Sequence, residues 1–182
     1  LIKEKIYKPN EILALTFTNK AATEMKDRIK DSINCDSVNV GTFHSIGARI
    51  LRKHIGYINE QYNNDFTIYD VSDQKALLKE VVEQLNIAEF KELNINFLRS
   101  QLDNFKNDSM TVEEIEAKAN SFEDEKIAEV YRRYSELLLS NNAVDFNDLI
   151  GMPIKLFKHS SALLDKYQQS WKYILVDEFQ DT

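Results

Sequence analysis

Glu11-Ile12-Leu13-Ala14-Leu15-Thr16-Phe17 is a short, almost wholly apolar run. That is the pattern of a strand buried on both faces of a parallel sheet; a half-wet strand would alternate apolar and polar residues. Polar residues close the run. Thr18 or Asn19 can cap a following helix, in which Ala22, Met25 and Ile29 recur at three- and four-residue spacing among Glu24, Lys26, Asp27 and Arg28. A second short strand, Val38 to Thr42, leads into a helix through Ile46, Ile50 and Leu51. The first fifty residues therefore predict the strand–helix alternation of an α/β sheet.

Downstream the pattern turns helical. Ser72 can cap a helix carrying Leu77, Leu78, Val81, Val82 and Leu85, and Asn94 one carrying Ile95, Leu98, Leu102 and Phe105. Thr111-Val112-Glu113-Glu114 has capping-box form. A longer helix after Ser121 places Ile127, Val130, Tyr131, Tyr134, Leu137 and Leu138 on one stripe; Arg132 and Arg133 beside it read as solvated. Another helix starts near Asp145 and is expected to bend or end at Pro153. Trp171-Lys172-Tyr173-Ile174-Leu175-Val176 then returns to the buried-strand pattern. The organisation expected is a helical block of residues 44–170 inserted between α/β portions at 1–43 and 171–182.

The 182 residues suit one domain, or one and part of a second. No window nears the roughly eighteen apolar residues of a membrane span, so no membrane role is expected. Four Gly and two Pro are too few for a loop-rich sandwich or a disordered segment. A lone cysteine, Cys35, excludes an internal disulfide framework and a Cys-rich zinc site; with no signal segment, a cytoplasmic location is expected. Cys35 and His54 carry no functional assignment. A start at Leu1 and a stop at Thr182 read as the ends of an excised piece. The net charge of -7 is uneven: residues 1–54 hold 10 Lys+Arg against 6 Asp+Glu, a net of +4, so any attraction for phosphate belongs to that end.

Ile174-Leu175-Val176-Asp177-Glu178 delivers two adjacent carboxylates from the C-terminal end of an apolar strand, where open α/β sheets place ligands. This is Walker B geometry. One carboxylate, Asp177, can hold the magnesium of a nucleotide, and the second, Glu178, can orient and deprotonate an attacking water. Read alone, the pair also fits solvated turn residues after a strand.

Four strings together resemble the UvrD/Rep/PcrA group of superfamily 1 DNA helicases: ILVDEFQDT (174–182), LALTFTNKAATEM (13–25), VGTFHS (40–45) and VDFNDL (144–149), in the order the group uses. The resemblance runs essentially end to end. It implies a helix-rich α/β fold, with part of a RecA-like motor domain of the P-loop NTPase class and a large all-helical inserted domain. It also implies that Thr16, Phe17, Thr18 and Asn19 lie along a single-stranded DNA path, and that Thr42, Phe43, His44 and Ser45 form a second contact. The chemistry is suitable, since hydroxyls, amides and free N–H groups at a helix start hold phosphate and aromatic rings stack on bases. Phe17 and Phe43 also fit core positions, and His44 a structural one. Gln180 is implied to link the terminal phosphate of the nucleotide to the DNA-bound state, with Asp181 a supporting neighbour. Asp145-Phe146-Asn147-Asp148-Leu149 is read as an Asp N-cap with a second acid in the first turn, structural rather than catalytic.

No Gly-Lys pair occurs; Gly41, Gly47, Gly56 and Gly151 are scattered. An ATPase of this class needs a glycine-rich phosphate loop, which the resemblance implies ahead of Leu1, with the arginine-bearing motifs of a second motor domain beyond Thr182. The resemblance implies a parent that couples hydrolysis of ATP with Mg2+ to 3′-to-5′ translocation on single-stranded DNA and unwinding at single/double-strand junctions. Repair or replication is the expected setting, with proteins of those pathways as partners, and the piece alone is expected to lack ATPase activity. The alternatives are the helicase part of a recombination helicase–nuclease and, from another class, a non-catalytic helical protein-interaction module.

Overall fold

The computed structural model describes residues 2–33, 37–87 and 95–181. They form two compact units, one of residues 1–50 with 154–182 and one of residues 51–153. In the first unit, β1 (Ile12–Thr16), β2 (Asn39–Thr42) and β5 (Tyr173–Val176) make a parallel sheet of order β2-β1-β5. Every residue of the central strand β1 is buried, as its unbroken apolar run requires. Each buried Ile or Leu there contributes about 1.5–3 kcal/mol. Helix α1 (Asn19–Ile33) follows, and Thr18 is its cap: the Thr18 hydroxyl accepts the Ala21 N–H at 3.1 Å. Ala22, Met25 and Ile29 form the apolar face of α1 and pack with Ala14, Val38 and Val40. Helix α2 (Phe43–His54) starts directly from β2.

β5 departs from expectation. Its apolar composition predicts burial, yet Ile174 is 55% and Leu175 44% exposed. The reason is position: β5 is an edge strand, paired with β1 on one side, and Leu175 lines an open apolar groove with Ile12, Ala14, Met25 and Ile29. An apolar run by itself does not distinguish a central strand from an edge strand.

The second unit contains β3 (Thr67–Tyr69), α3 (Val71–Gln84), α4 (Ile95–Asn107), α5 (Val112–Lys118), α6 (Phe122–Ser140), β4 (Ala143–Asp145) and the start of α7 (Asp148–His159). Its core is built from the predicted stripes: Leu77, Leu78, Val81 and Val82 of α3, Leu98 and Leu102 of α4, and Ile127, Val130, Tyr131, Tyr134 and Leu138 of α6. The block is not free of strands, because β3 and β4 pair in parallel, Ile68 opposite Val144. Three residues each are too few to carry a legible period. The two compact units divide within α2 and α7.

Local corrections follow the same logic. The cap of α3 is Asp70, whose carboxylate accepts the N–H groups of Ser72 at 2.7 Å and Asp73 at 3.0 Å, so Ser72 lies inside the first turn. Thr111 and Ser121 cap α5 and α6 as expected. Helix α7 runs through Pro153 to His159, since the ring removes one helical N–H while Leu149 and Leu156 anchor the helix on either side of it at 3% and 1% exposure. In the first unit, α8 (Ser161–Ser170) follows after the single residue Ser160, whose hydroxyl accepts the Leu163 N–H. Asn94 and Cys35 lie outside the described residues. No helix among the described residues is long and apolar enough to cross a membrane.

Candidate functional site

Parallel pairing brings three strand ends into one row. Thr16 closing β1 stands opposite Thr42 closing β2, and Leu15 stands opposite Val176 closing β5. The Asp177 N–H extends the ladder by one bond, to Leu15 O at 2.9 Å. The stretches 16–19 and 42–45, and 177–180 from over 130 residues further along the chain, thereby share the C-terminal edge of one sheet. Such an edge, with its strand-to-helix turns, is where open parallel sheets bind ligands.

Asp177 and Glu178 are exposed there, and Gln180 beyond them is also exposed. The Asp177 carboxylate accepts the Glu178 N–H at 3.1 Å. Glu178 adopts φ +50°, in the left-handed region that side chains disfavour, before a 3-10 turn of Phe179–Asp181. Such a conformation costs about 1–3 kcal/mol and persists only where its surroundings hold it. Here the ladder bond at Asp177 and the turn behind it do so. Phe179 is 72% exposed.

The two strand-to-helix junctions are built alike, with buried threonines and exposed neighbours. Thr16 and Thr42 close their strands with hydroxyls engaged locally: Thr16 donates to Thr18 O at 3.0 Å, and Thr42 accepts the Ser45 N–H at 3.2 Å. The Ser45 hydroxyl donates to Thr42 O at 2.9 Å. These threonines are 1% and 6% exposed, so they shape the turns. The outward-facing residues are Phe17, Thr18, Asn19 and Ser45, with Phe43 and His44 half-buried. Phe17 is 56% exposed although it directly follows a fully buried strand. Burial holds the His44 imidazole below its ordinary pKa, favouring the neutral ring. Gly41 packs its backbone against the turn: a Cβ there would lie 2.6 Å from Ser45 Oγ.

Asp145 and Asp148 occupy a different environment, in the second unit. They form the expected reciprocal cap, Asp145 Oδ1 accepting the Asp148 N–H and Asp148 Oδ2 the Asp145 N–H, both at 3.1 Å. Sequence reasoning does not find their partner. Lys106 of α4 donates to Asp145 Oδ2 at 2.5 Å and to Asp148 Oδ2 at 2.8 Å, and Tyr134 of α6 donates its hydroxyl to Asp145 Oδ2 at 3.2 Å. The Lys106 and Asp145 side chains are 9% and 2% exposed. Asn147 extends the cluster to Asp103 at 2.9 Å, and Asp103 pairs with Arg99. Burial pushes the Asp148 carboxyl up, against the pull of Lys106; the two carboxylates raise the Lys106 ammonium above the ordinary lysine value despite its burial. Nothing within residues 144–149 signals a lysine 39 positions upstream. Arg132 and Arg133 pair with Glu116 and Glu136 on the surface, as solvated residues do.

All of the chain, residues 1–182, matches the family described as UvrD/REP helicase N-terminal domain. It is 37% identical over 183 residues to DNA helicase II of Rickettsia typhi, a match covering 100% of this chain and 28% of that protein. It is 40% identical over 184 residues to ATP-dependent DNA helicase PcrA of Staphylococcus epidermidis, covering 100% and 25%. With PcrA of Bacillus subtilis the identity is 38% over 184 residues, covering 100% and 24%. The chain thus spans about a quarter of the length of the curated relatives it matches. With a match over its whole length, and a parallel sheet whose strand ends gather the motif residues in one row, the chain belongs to the UvrD/REP helicase N-terminal domain family.

Proposed function

We propose that this chain is part of the first motor domain, with a helix-rich inserted domain, of an ATP-dependent DNA helicase that moves 3′-to-5′ on single-stranded DNA and opens duplexes in repair or replication. The carrying observation is the row of strand ends, because it puts a carboxylate pair beside two polar, aromatic-bearing turns on one rigid edge. A machine that couples nucleotide chemistry to a DNA track needs that adjacency.

The donor set fits magnesium. Among the described residues no three His, Cys, Asp or Glu side chains converge to hold a metal by themselves. Magnesium of a bound nucleotide asks for less, one or two carboxylates with waters and phosphates completing its shell. Asp177 would hold it, and the ion would neutralise charge on the transferring phosphoryl group. Glu178, fixed by its left-handed backbone, accepts a proton from the attacking water; Gln180 and Asp181 follow on the same turn, Gln180 to sense the terminal phosphate. Phe17 offers a base a stacking face, Thr18, Asn19 and Ser45 offer phosphate hydrogen bonds, and Phe43 and His44 border the second turn. Thr16 and Thr42 hold the turns that present them.

In the full-length parent, Glu178→Gln should keep nucleotide affinity and cut DNA-stimulated turnover by about 10² or more. Turnover within threefold of wild type would remove Glu178 from the base role.

A further inference from the structure

The N-terminal edge of the three-stranded sheet, opposite the row of motif residues, holds a cleft of its own. Ile12 and Tyr173 stand opposite each other where β1 and β5 begin. Just ahead of them, Lys5, Ile6, Tyr7, Lys8 and Pro9 on one side and Lys172 on the other line a space of about 560 Å³. All of these residues belong to one unit.

Local bonds hold the cleft in shape. The Lys5 N–H donates to Ile2 O at 2.9 Å, closing a turn in which Lys5 takes φ +58°. The Tyr7 ring packs against Tyr173 with centroids 5.4 Å apart, which ties this turn to the first residue of β5. Pro9 opens the 3-10 turn Pro9–Glu11, a place its fixed φ suits. The Glu11 carboxylate accepts the Lys8 N–H at 2.9 Å and pairs with Lys172 at 2.7 Å. Among the described residues Glu11 is the one acid lining the cleft, and Lys172 already engages it, so Lys5 and Lys8 leave an excess of two positive charges.

The charge calls for an anion, and the walls say which kind. Ile6 is 56% exposed between the two lysines, and Ile2 and Pro9 add apolar surface. A phosphate chain would leave an exposed isoleucine in water, whereas an apolar side chain of a peptide covers it. Lysines are flexible point charges, suited to carboxylates spaced along a peptide. The position argues the same way, since the length of the strands separates the cleft from the edge proposed above for nucleotide and single strand.

We propose that this cleft is a docking site for an acidic peptide segment of a partner protein, with an apolar side chain seated against Ile6 and carboxylates on Lys5 and Lys8. The site does not depend on the helicase reading.

The test is fluorescence anisotropy of the full-length parent with a short labelled peptide of aspartates around a Leu-Phe pair. Affinity should fall about tenfold or more in Lys5→Glu/Lys8→Glu and about threefold or more in Ile6→Ser, and should weaken as salt is raised. The altered side chains face solvent, so Tm should stay at the wild-type value. With the wild-type parent, a peptide carrying lysines in place of the aspartates should not bind, and one carrying Gly-Ser in place of Leu-Phe should bind more weakly. Oligonucleotide affinity should be the same in wild type and both variants. Absence of peptide binding by the wild type, or wild-type peptide affinity in the charge-reversed variant, overturns the docking site. Equal binding of the Gly-Ser peptide overturns the apolar anchor. An oligonucleotide loss in the charge-reversed variant as large as its peptide loss makes the cleft a general polyanion contact and overturns the peptide assignment.

Discussion

Of the carboxylate pairs at the ends of short strands in this molecule, two have opposite fates. Asp145, which closes β4, is buried and Asp148 beyond it half-buried, the two cross-braced by each other's backbone N–H groups and held by Lys106. Asp177 and Glu178, after β5, face solvent at the edge of the sheet. The units that carry them differ in the same sense: residues 51–153 hold 11 Lys+Arg against 20 Asp+Glu, and the other unit 12 against 10. In the acidic unit a buried lysine neutralises carboxylates that would otherwise repel one another; in the near-neutral unit the carboxylates stay open to a cation from outside. A closed pair specifies structure and an open pair is available for chemistry.

The comparison is broken most directly at Lys106. Lys106→Met leaves two buried carboxylates without their cation and should cost about 3–5 kcal/mol, whereas Asp177→Asn, at an exposed site, should change stability by no more than about 0.5 kcal/mol. Urea unfolding of the chain followed by far-UV circular dichroism, with Trp171 fluorescence for the unit that holds β5, measures both. Equal losses would mean that the two pairs are not energetically distinct.

The open end is sharpened at Phe17. In the parent, Phe17→Ala should weaken single-strand binding by about 1–3 kcal/mol if the ring stacks on a base. Because the ring is largely exposed, its stability cost should stay near 0.5 kcal/mol. Phe66, 1% exposed beneath the Arg52 guanidinium, should show the reverse, with about 3–5 kcal/mol lost on Phe66→Ala and DNA affinity kept. Fluorescence anisotropy with a labelled oligonucleotide, beside thermal melting, separates the two. Wild-type affinity in Phe17→Ala would take that turn off the DNA track.

Proton linkage gives the smallest effects, of opposite sign at the two ends. The Asp148 carboxyl is raised, so the folded state keeps its proton above pH 3.8, where the unfolded chain releases it. Its contribution to stability is full below that pH and is lost as pH rises through the raised value. His44 is lowered by burial, so its contribution is full above 6.5 and is lost as pH falls from 6.5 through the depressed value. Asp148→Asn should remove the first slope and His44→Gln the second in melting curves taken from pH 4 to 8. With His44 neutral at pH 7.5, His44→Gln should also leave the salt dependence of DNA binding unchanged, since only a charged ring would add to counterion release. A shallower salt slope in that variant would show a charged ring instead.

The sequence by itself determined the local elements and the identity of the motif residues. A short unbroken apolar run between polar residues marks a strand, and a capping residue before a 3.6-residue stripe marks a helix whatever surrounds it. Hence β1, β2, α1, α2 and the core stripes of α3, α4 and α6 stand where the pattern puts them. Tertiary structure decided everything that depends on a partner far along the chain. It left apolar β5 half open at an edge, and it paired β3 with β4 in strands too short to read. It turned Phe17 out to solvent while sealing Thr16 beside it. Above all, it chose which carboxylates to bury, because the free energy of a charged group is set by the nearest opposite charge and the surrounding dielectric, and for Asp145 and Asp148 both come from Lys106 and the core of another helix.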